Sequence, residues 1–521
     1  MVRYFTFACA ILGIGVVQGA PLTAAPATNL ATLRPIGKVS ERFQSYNIEM
    51  AEVVGAPFWK PYSKHQAPAH AHAPAGGNPM ARLFEKQKPI DLSNPRLRTL
   101  AAALGPAYVR VSGTWANSAY FQNNDAPALR KPPSGFRSVL TRAQWRGVVD
   151  FAKAANAHLV TSFAISPGVR NRAGEWTPVQ ARALIDYTRS LGGRIYAAEL
   201  FNEPNLPELG AAPAGYDAQW FARDEARFRK FIASASPETR IAGPGYSVVG
   251  TGRFKSPMPQ IPARQLLTAM HGAQFQIFSY HFYAAVSPRC APPGSPERST
   301  PADAISKSWL RVTGQTFRAQ QQLRNRFAPR APIWITETGD AACGGNPWAD
   351  TFLDSFRYLN QLALLSQDGA DAVFHNTLVG SDYGLLDRKT YEPRPNYWAA
   401  LIWRRLMGRI VLDPPHATGN VTLYAHCLRG HPGGVALLAL NLGGGTSRLT
   451  LSARPEVYVL TSPSANLRSR VVLLNGRALS LGSGDRLPAL RAPESASDSV
   501  RLPGHSIAFL AVPQAGNRGC R

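Results

Sequence analysis

Residues 196–205 read Tyr196-Ala197-Ala198-Glu199-Leu200-Phe201-Asn202-Glu203-Pro204-Asn205, a mostly apolar run that ends in an amide, a carboxyl group and a proline. Parallel strands that are buried on both faces are almost entirely apolar, and proline interrupts strand pairing. The run therefore predicts a buried strand with Asn202 and Glu203 at its carboxyl end. In an α/β barrel this end faces the active site, which makes Glu203 the first catalytic candidate.

A second apolar run has the same form. Residues 330–338 read Arg330-Ala331-Pro332-Ile333-Trp334-Ile335-Thr336-Glu337-Thr338, and a glycine-containing loop follows. Two carboxylates at the ends of separate strands can flank a glycosidic bond, one donating a proton while the other attacks the anomeric carbon. We therefore predict that Glu203 and Glu337 form a catalytic pair. The alternative for either residue is structural, since many buried glutamates only pair with an arginine.

Eight apolar runs alternate with helical patterns over most of the chain. This alternation predicts an α/β fold, a closed (β/α)₈ TIM barrel. On this count Glu203 follows the fourth strand and Glu337 follows the seventh. The predicted strands lie near Phe43–Glu49, Ala107–Ser112, His158–Ile165, Ile195–Phe201, Arg240–Gly243, Phe275–His281, Ile333–Thr336 and Ala372–His375.

The pattern changes beyond about residue 408 to short alternating stretches separated by turns, among them Asn475-Gly476. Such stretches predict a C-terminal β-sandwich domain. We expect a signal peptide at residues 1–20, a flexible lead at 21–36, the barrel at 37–407 and the sandwich at 408–521. The region of the first strand can also add a strand to the sandwich.

The amino-terminal residues indicate export. Arg3 precedes an apolar run and small residues around Gly19 and Ala20, as in a secretory signal, and no later run is long and apolar enough to span a membrane. Four cysteines remain after the signal, and they allow three pairings in an oxidising compartment. We favour Cys427 with Cys520 and Cys290 with Cys343.

The formal net charge of +25 favours association with polyanions. It fits an acidic glycan substrate, and it fits equally a charge that serves only solubility and comes from an arginine-rich composition. Signatures of nucleic-acid binding are absent from the sequence. A loop that contains His65, His70 and His72 lacks the carboxylate or cysteine that would complete a metal site. We expect no metal there, and we interpret the segment from His65 to Gly77 as a lid beside the cleft.

Several segments together resemble glycoside hydrolase family 79, the heparanase and β-glucuronidase family, from about Val39 to Cys520. The resemblance implies a retaining mechanism with Glu203 as the acid/base and Glu337 as the nucleophile. The segments that carry it are Asn94-Pro95-Arg96-Leu97-Arg98-Thr99-Leu100, Tyr108-Val109-Arg110-Val111-Ser112-Gly113-Thr114, Asn202-Glu203-Pro204-Asn205, Ser381-Asp382-Tyr383-Gly384-Leu385-Leu386-Asp387, Pro395-Asn396-Tyr397-Trp398 and Tyr424-Ala425-His426-Cys427.

The resemblance also implies the residues that bind substrate. Asn202 would contact the sugar 2-hydroxyl, and Tyr283 would orient the nucleophile, unless it only fills the barrel rim. Glu49 and Thr114 match substrate-contacting positions, although either fits a supporting role equally well. A glycine pair and a tyrosine, here Gly344, Gly345 and Tyr383, would bind the glucuronate carboxylate. Cys343 falls on one of the family's glycine positions, so the identity of these amides is open.

The sequence thus predicts an exported, monomeric, retaining β-glucuronidase that needs no cofactor and acts on an acidic polysaccharide or a smaller glucuronide. The resemblance includes the animal heparanases, which carry a long excised linker. The segment between Thr114 and Leu159 is short and lacks such a linker, so we expect a single chain that is active without internal cleavage. Two alternatives remain: a non-catalytic glycan-binding protein on the same fold, and a retaining β-glycosidase of different sugar specificity.

Overall fold

A computed structural model of the chain describes residues 27–62, 81–250, 259–416 and 419–521. At its centre is a closed barrel of eight parallel strands, in which the eighth strand pairs with the first. The predicted (β/α)₈ fold is confirmed. In chain order the barrel strands are Gln44–Glu49, Ala107–Ser112, Ala157–Ser162, Ile195–Glu199, Arg240–Val249, Ile277–Tyr283, Ile333–Gly339 and Ala372–His375.

The interior of the barrel changes from apolar to polar along the strands. A side chain two residues further along a strand points into the same interior, so Arg110 follows Tyr108 and Glu199 follows Ala197. The polar layer lies at the carboxyl ends of the strands, where the active site of such a barrel forms. The apolar layer beneath it consists of Tyr108, Val160, Ala197, Ala242, Ile277, Trp334 and Phe374.

Helices surround the barrel. Arg142–Ala154 begins at a capping box in which the Thr141 hydroxyl accepts a hydrogen bond from the Gln144 N–H. Trp145 and Val149 recur at helical spacing on its buried face. The helices of the described residues are Met50–Val54, Pro95–Ala103, Arg142–Ala154, Val179–Ser190, Ala218–Ala235, Ala263–Ala269, Lys307–Leu310, Val312–Phe327, Phe352–Asp368 and Pro395–Leu406.

A second, β-rich domain follows the last barrel helix and confirms the predicted sandwich. Its smaller sheet pairs Ser447–Thr450 with Ser499–Leu502. Asn475-Gly476 forms the predicted tight turn, since both residues have positive φ. The larger sheet is antiparallel and contains, in spatial order, Pro35–Lys38, Met407–Leu412, Val421–Leu428, Val435–Asn441, Ser506–Val512, Glu456–Thr461, Leu473–Leu474 and Arg477–Ala478.

The larger sheet is buried on both faces. Leu438 and Phe509 belong to the same apolar cluster as the barrel and its helices, whereas their chain neighbours Leu437 and Leu510 pack in a separate cluster with Val500 of the smaller sheet. Alternate side chains of a strand point to opposite faces. The sheet therefore lies between the barrel and the smaller sheet.

Residues 27–36, at the end of the predicted flexible lead, are ordered against this second domain. Leu30 is fully buried in its core, and strand Pro35–Lys38 pairs with Met407–Leu412. The Asn517 side chain donates to the carbonyl of Leu30 at 2.8 Å. Burial of a leucine offsets part of the entropy lost when such a segment becomes ordered.

Both predicted disulfides are confirmed. Cys290 and Cys343 join two loops at the mouth of the barrel with a Cα–Cα distance of 6.3 Å, and Cys427 and Cys520 join the second domain to the chain end with a Cα–Cα distance of 5.3 Å.

Two predictions fall on residues outside the described ranges: the signal peptide at residues 1–20, and the loop from His65 to Gly77 with its proposed role as a lid. Among the helices that the structure describes, none combines the length and hydropathy that a bilayer-spanning segment needs.

Candidate active site

The two predicted catalytic carboxylates meet at the mouth of the barrel. One side-chain oxygen of Glu203 and one of Glu337 lie within 4.8 Å of each other. Glu203 follows the fourth barrel strand with a φ of 55°, and its N–H donates to the Gly245 carbonyl of the next strand at 3.2 Å. This left-handed conformation is uncommon for a residue other than glycine, and such local strain is typical of functional sites.

A bulge in the seventh barrel strand directs Glu337 into the barrel. Trp334 and Thr336 face the interior, so strict alternation would turn Glu337 outward. The register with the sixth strand shifts between Tyr280 and His281, so that His281 lies opposite Glu337. The irregularity allows consecutive side chains of the seventh strand to face the same interior.

Both oxygens of Glu337 accept hydrogen bonds. The Tyr283 hydroxyl donates to Oε1 at 2.8 Å, and Arg110 Nη1 donates to Oε2 at 3.3 Å. Burial raises the pKa of Tyr283 well above its ordinary value, so the phenol keeps its proton and remains a donor. A carboxylate that accepts from a phenol and a guanidinium is stabilised as the anion.

Arg110 connects the polar groups of the site and was not among the predicted site residues. Its guanidinium donates to Glu199 at 2.9 Å and to Asn202 Oδ1 at 2.8 Å. Burial opposes the ionisation of Glu199, but the charge of Arg110, together with hydrogen bonds from Arg110 and Ser279 and the other polar groups around the carboxylate, lowers the pKa of Glu199 below its ordinary value. The sequence signal for Arg110 is a charged residue in the middle of an otherwise apolar strand.

His281 lies between the two predicted catalytic carboxylates and was likewise not predicted. Its Nδ1 is 3.0 Å from Glu203 Oε1 and 3.5 Å from Glu337 Oε2, while its Nε2 is 3.2 Å from Arg110 Nη2. A guanidinium only donates hydrogen bonds, so Nε2 must accept and Nδ1 must carry the proton. The ring is therefore the neutral Nδ1–H tautomer, which donates to Glu203. Its signal is the two-residue spacing to Tyr283, which places both side chains on one face of the strand.

Glu203, His281 and Glu337 are close enough together to be tested as metal ligands. The guanidinium of Arg110 lies 3.3 Å from Glu337 and 3.2 Å from His281. Its fixed positive charge would repel a cation at this point. The three side chains therefore fit a hydrogen-bonded network better than a metal site.

A cavity of ≈ 660 Å³ opens above the carboxylates. Gly344 and Gly345 do not line it among the described residues, and Ala342 and Cys343 form that part of its wall instead. The other five predicted substrate-contacting residues line the cavity, namely Glu49, Thr114, Asn202, Tyr283 and Tyr383.

Covalent and polar contacts fix the position of the wall at Ala342 and Cys343. Cys343 is bonded to Cys290, and its φ of 66° is the left-handed conformation that glycine adopts readily. Arg289 donates to the Gly344 carbonyl at 2.7 Å and pairs with Asp382 at 2.6 Å. A disulfide and an arginine therefore fix the loop at the position where the family resemblance implies glycine.

A third carboxyl group, Glu49, lines the cavity at the end of the first barrel strand. Burial, and then the nearby charge of Glu337, raises the pKa of Glu49 well above its usual range. Gly113 leaves the space that Glu49 needs, since a Cβ at Gly113 would lie 1.6 Å from Glu49 Oε2. A protonated carboxyl group both donates and accepts, which suits contact with a sugar hydroxyl.

These features define the class of protein. Retaining glycoside hydrolases hold two carboxyl groups about 5 Å apart, whereas inverting enzymes need about 6.5–9.5 Å to admit a water molecule. A (β/α)₈ barrel with glutamate oxygens within 4.8 Å at its carboxyl-terminal mouth has the retaining arrangement. The protein is a glycoside hydrolase.

Comparison with known proteins gives the family. The family model for the N-terminal domain of glycosyl hydrolase family 79 matches residues 88–363, more than half of the chain, and the protein belongs to this family. The heparanase of Mus musculus is 27% identical over 96% of this chain and 97% of its own length. The baicalin-beta-D-glucuronidase of Scutellaria baicalensis is 36% identical over 211 residues, 39% of this chain and 40% of that protein.

Among solved structures, a 4-O-alpha-L-rhamnosyl-beta-D-glucuronidase from Fusarium oxysporum 12S superposes with a TM-score of 0.62 over 94% of this chain and 99% of its own length. Its sequence identity is 14%, so this similarity supports the fold alone.

Proposed function

We propose that the protein hydrolyses β-D-glucuronides with retention of configuration. The observation that carries the proposal is the pair Glu203 and Glu337, whose oxygens lie within 4.8 Å of each other in a family 79 chain. The Scutellaria baicalensis relative is named as a β-D-glucuronidase, which supports glucuronic acid as the sugar.

Glu337 acts as the nucleophile. Arg110 and Tyr283 stabilise its charge and fix its position, so it attacks the anomeric carbon and forms a glycosyl ester. At the same time Glu203 gives its proton to the glycosidic oxygen, and the aglycone leaves as an alcohol.

His281 determines which oxygen of Glu203 carries that proton. Because Nδ1–H donates to Oε1, the acidic proton belongs on Oε2. Once Glu337 is esterified its charge is lost, and Glu203 then acts as the base that takes a proton from water. The water attacks the anomeric carbon, the bond between that carbon and Glu337 breaks, and β-glucuronic acid is released with Glu337 again a carboxylate.

Three side chains are placed to bind the sugar hydroxyls. The Oδ1 of Asn202 accepts from Arg110, which leaves the amide N–H₂ as the donor for the 2-hydroxyl. Glu49 and Thr114 line the cavity at the ends of the first and second strands, where they can bond other hydroxyls.

The glucuronate carboxylate is bound by Tyr383 and by backbone amides of the adjoining loop. The N–H of Ala342 donates to Ala285 at 2.9 Å and that of Gly345 donates to Ala341 at 3.2 Å. The amide of Cys343, which lines the cavity, is therefore the better candidate. Backbone N–H groups and a phenol can hold an anion without a fully charged partner.

The protein acts after export, on an acidic polysaccharide or on smaller glucuronides, as a monomer. Its two disulfides support an oxidising compartment.

A proton NMR time course of phenyl β-glucuronide, beside phenyl β-glucoside, tests the proposal. We expect β-glucuronic acid as the first product, no comparable turnover of the glucoside, and no turnover by Glu337→Gln. The α-anomer appearing first would contradict retention. Equal hydrolysis of the glucoside would contradict carboxylate recognition, and glycan binding without turnover would support a binding protein instead.

A further inference from the structure

The cavity extends beyond the carboxylates on the side of Glu203, into a region that we call the apolar lobe. Its wall includes Leu206, Leu209, Val248, Ile261 and Leu323, and the same elements also contribute the uncharged polar residues Asn205, Ser247, Gln260 and Gln320 to the lining of the cavity. These residues come from the loop after the fourth barrel strand, from the fifth strand, from the segment before the helix Ala263–Ala269, and from the helix Val312–Phe327.

Hydrogen bonds connect the apolar lobe to the loop that carries Glu203. The Leu206 N–H donates to the Glu203 carbonyl at 2.9 Å. The Asn205 side chain accepts from the Ser247 N–H at 2.9 Å and donates to the Ser247 carbonyl at 3.2 Å. The Ile261 N–H donates to the Asn205 carbonyl at 3.0 Å. The shape of this wall is therefore tied to the position of Glu203.

The reaction determines which part of a substrate reaches this wall. Glu337 bonds to the anomeric carbon, so the sugar ring lies on its side, among Glu49, Asn202 and Tyr383. Glu203 protonates the oxygen of the leaving group, so the aglycone extends past Glu203. The apolar lobe is the part of the cavity that lies there.

The chemistry of the apolar lobe differs from that of a site for a sulfated sugar. Among the described residues that line the cavity, the cations are Arg82 and Arg289. Arg82 adjoins the strand Phe84–Lys86, which pairs with the segment after the first barrel strand, and Arg289 pairs with Asp382 near the eighth. Neither belongs to the elements that form the lobe. Against the described residues of the lobe, a sulfate or a second uronate would lose water without gaining a charged partner.

We propose that the apolar lobe binds an apolar, ring-containing aglycone, so that the preferred substrates are aryl β-glucuronides rather than sulfated polysaccharides. The inference rests on the proposed function, because the lobe is the aglycone site only if Glu203 is the acid. The overall charge of +25 raises the concentration of polyanions near the surface, but none of the described residues that form the wall of the lobe is a cation.

Binding to Glu337→Gln tests the inference without interference from leaving-group reactivity. Calorimetry would compare 2-naphthyl β-glucuronide with methyl β-glucuronide, and we expect about tenfold or tighter binding of the naphthyl compound from the apolar area it buries. Adding Leu323→Ala or Leu209→Asn should lower the ratio of naphthyl to methyl affinity about threefold or more. The affinity for the methyl compound should stay unchanged, which also shows that the variant is folded. Val471→Ala, at a 46% exposed site in the second domain, is the matched control and should leave the ratio unchanged.

The outcomes separate the two proposals. If the wild-type protein neither binds nor hydrolyses any β-glucuronide, the proposed function fails. If it hydrolyses phenyl β-glucuronide but Glu337→Gln binds the naphthyl and methyl compounds equally, the inference about the lobe is overturned while the function stands. Tighter binding of a sulfated glucuronide disaccharide than of the naphthyl compound would overturn it as well.

Discussion

His281 Nδ1 lies 3.0 Å from Glu203 Oε1, while Nε2 of the same ring lies 3.2 Å from Arg110. The arginine thus determines the tautomer of the histidine, and the histidine determines the orientation of Glu203. In the proposed mechanism, proton donation to the leaving group depends on this chain of hydrogen bonds, although Arg110 and His281 do not themselves transfer the proton.

Replacing His281 with alanine should slow the reaction according to the leaving group. We expect kcat to fall about 10- to 100-fold on phenyl β-glucuronide, which needs the acid, and much less on the 2,4-dinitrophenyl compound, which does not. KM should change little. Steady-state kinetics on both substrates measures the difference.

His281→Asn is the control for that variant, because the asparagine amide can donate from near the position of Nδ1. It should recover part of the activity on phenyl β-glucuronide. An equal loss on both substrates in His281→Ala would mean that the ring only supports the fold of the site.

Tyr283→Phe should lower kcat by about 10-fold or more, because Glu337 loses one of its two donors. The melting temperature should change little, since the phenyl ring keeps its packing against Ala349 and Tyr383. Kinetics and thermal unfolding of the same preparation check both statements. An unchanged kcat would indicate that Tyr283 only fills the barrel rim.

Much of this site follows from the sequence by simple rules. The position of Glu203 at the barrel mouth follows because an apolar strand ends at a polar pair, and both disulfides follow because cysteines in an oxidising compartment pair within nearby elements. These are local signals, and the structure agrees with them.

The remaining parts depend on geometry that alternation alone does not give. Glu337 faces the interior only because the seventh strand is irregular, and a bulge of that kind has no composition signal in Thr336-Glu337-Thr338. Arg110 and His281 become functional through contacts between strands that are far apart in sequence. The composition of residues 27–36 predicts flexibility, yet Leu30 is buried in the core of the second domain, whose other members lie far away along the sequence.

Removing the disulfide at the cavity, with Cys290→Ser and Cys343→Ser together, should weaken recognition of the glucuronate carboxylate. The loop at Cys343 then keeps its left-handed backbone without the covalent bond, so its amides are less well positioned. We expect KM for phenyl β-glucuronide to rise about 10-fold, with a smaller change in kcat, from the loss of about one well-placed hydrogen bond to a charged group.

The second disulfide supplies a matched control for this prediction. Cys427→Ser with Cys520→Ser should lower the free energy of unfolding by about 2–5 kcal/mol without changing KM, because this pair lies in the second domain. A rise in KM for both double variants would show that the effect is general destabilisation rather than loss of carboxylate binding.

Glu225→Gln should stabilise the protein at high pH but not at low pH. Glu225 is 1% exposed in the helix Ala218–Ala235, and burial, despite the nearby Arg229, raises the pKa of Glu225 to about 7. Between its unfolded pKa of about 4.3 and its folded value, the folded state binds more protons than the unfolded state. The contribution of this carboxyl group to the free energy of unfolding is therefore fully present below about pH 4.3 and is lost as pH rises toward 7.

Glutamine has no proton to lose. The free energy of unfolding of the variant minus that of the wild type should therefore be small near pH 4.5 and should rise to on the order of 1–3 kcal/mol at pH 8. Urea unfolding across that pH range measures this difference. Glu494→Gln, at an exposed position of the second domain, is the matched control for the loss of a carboxyl group. A Glu225→Gln difference that is largest at pH 4.5 would show that the carboxylate is stabilised by Arg229 more than it is opposed by burial.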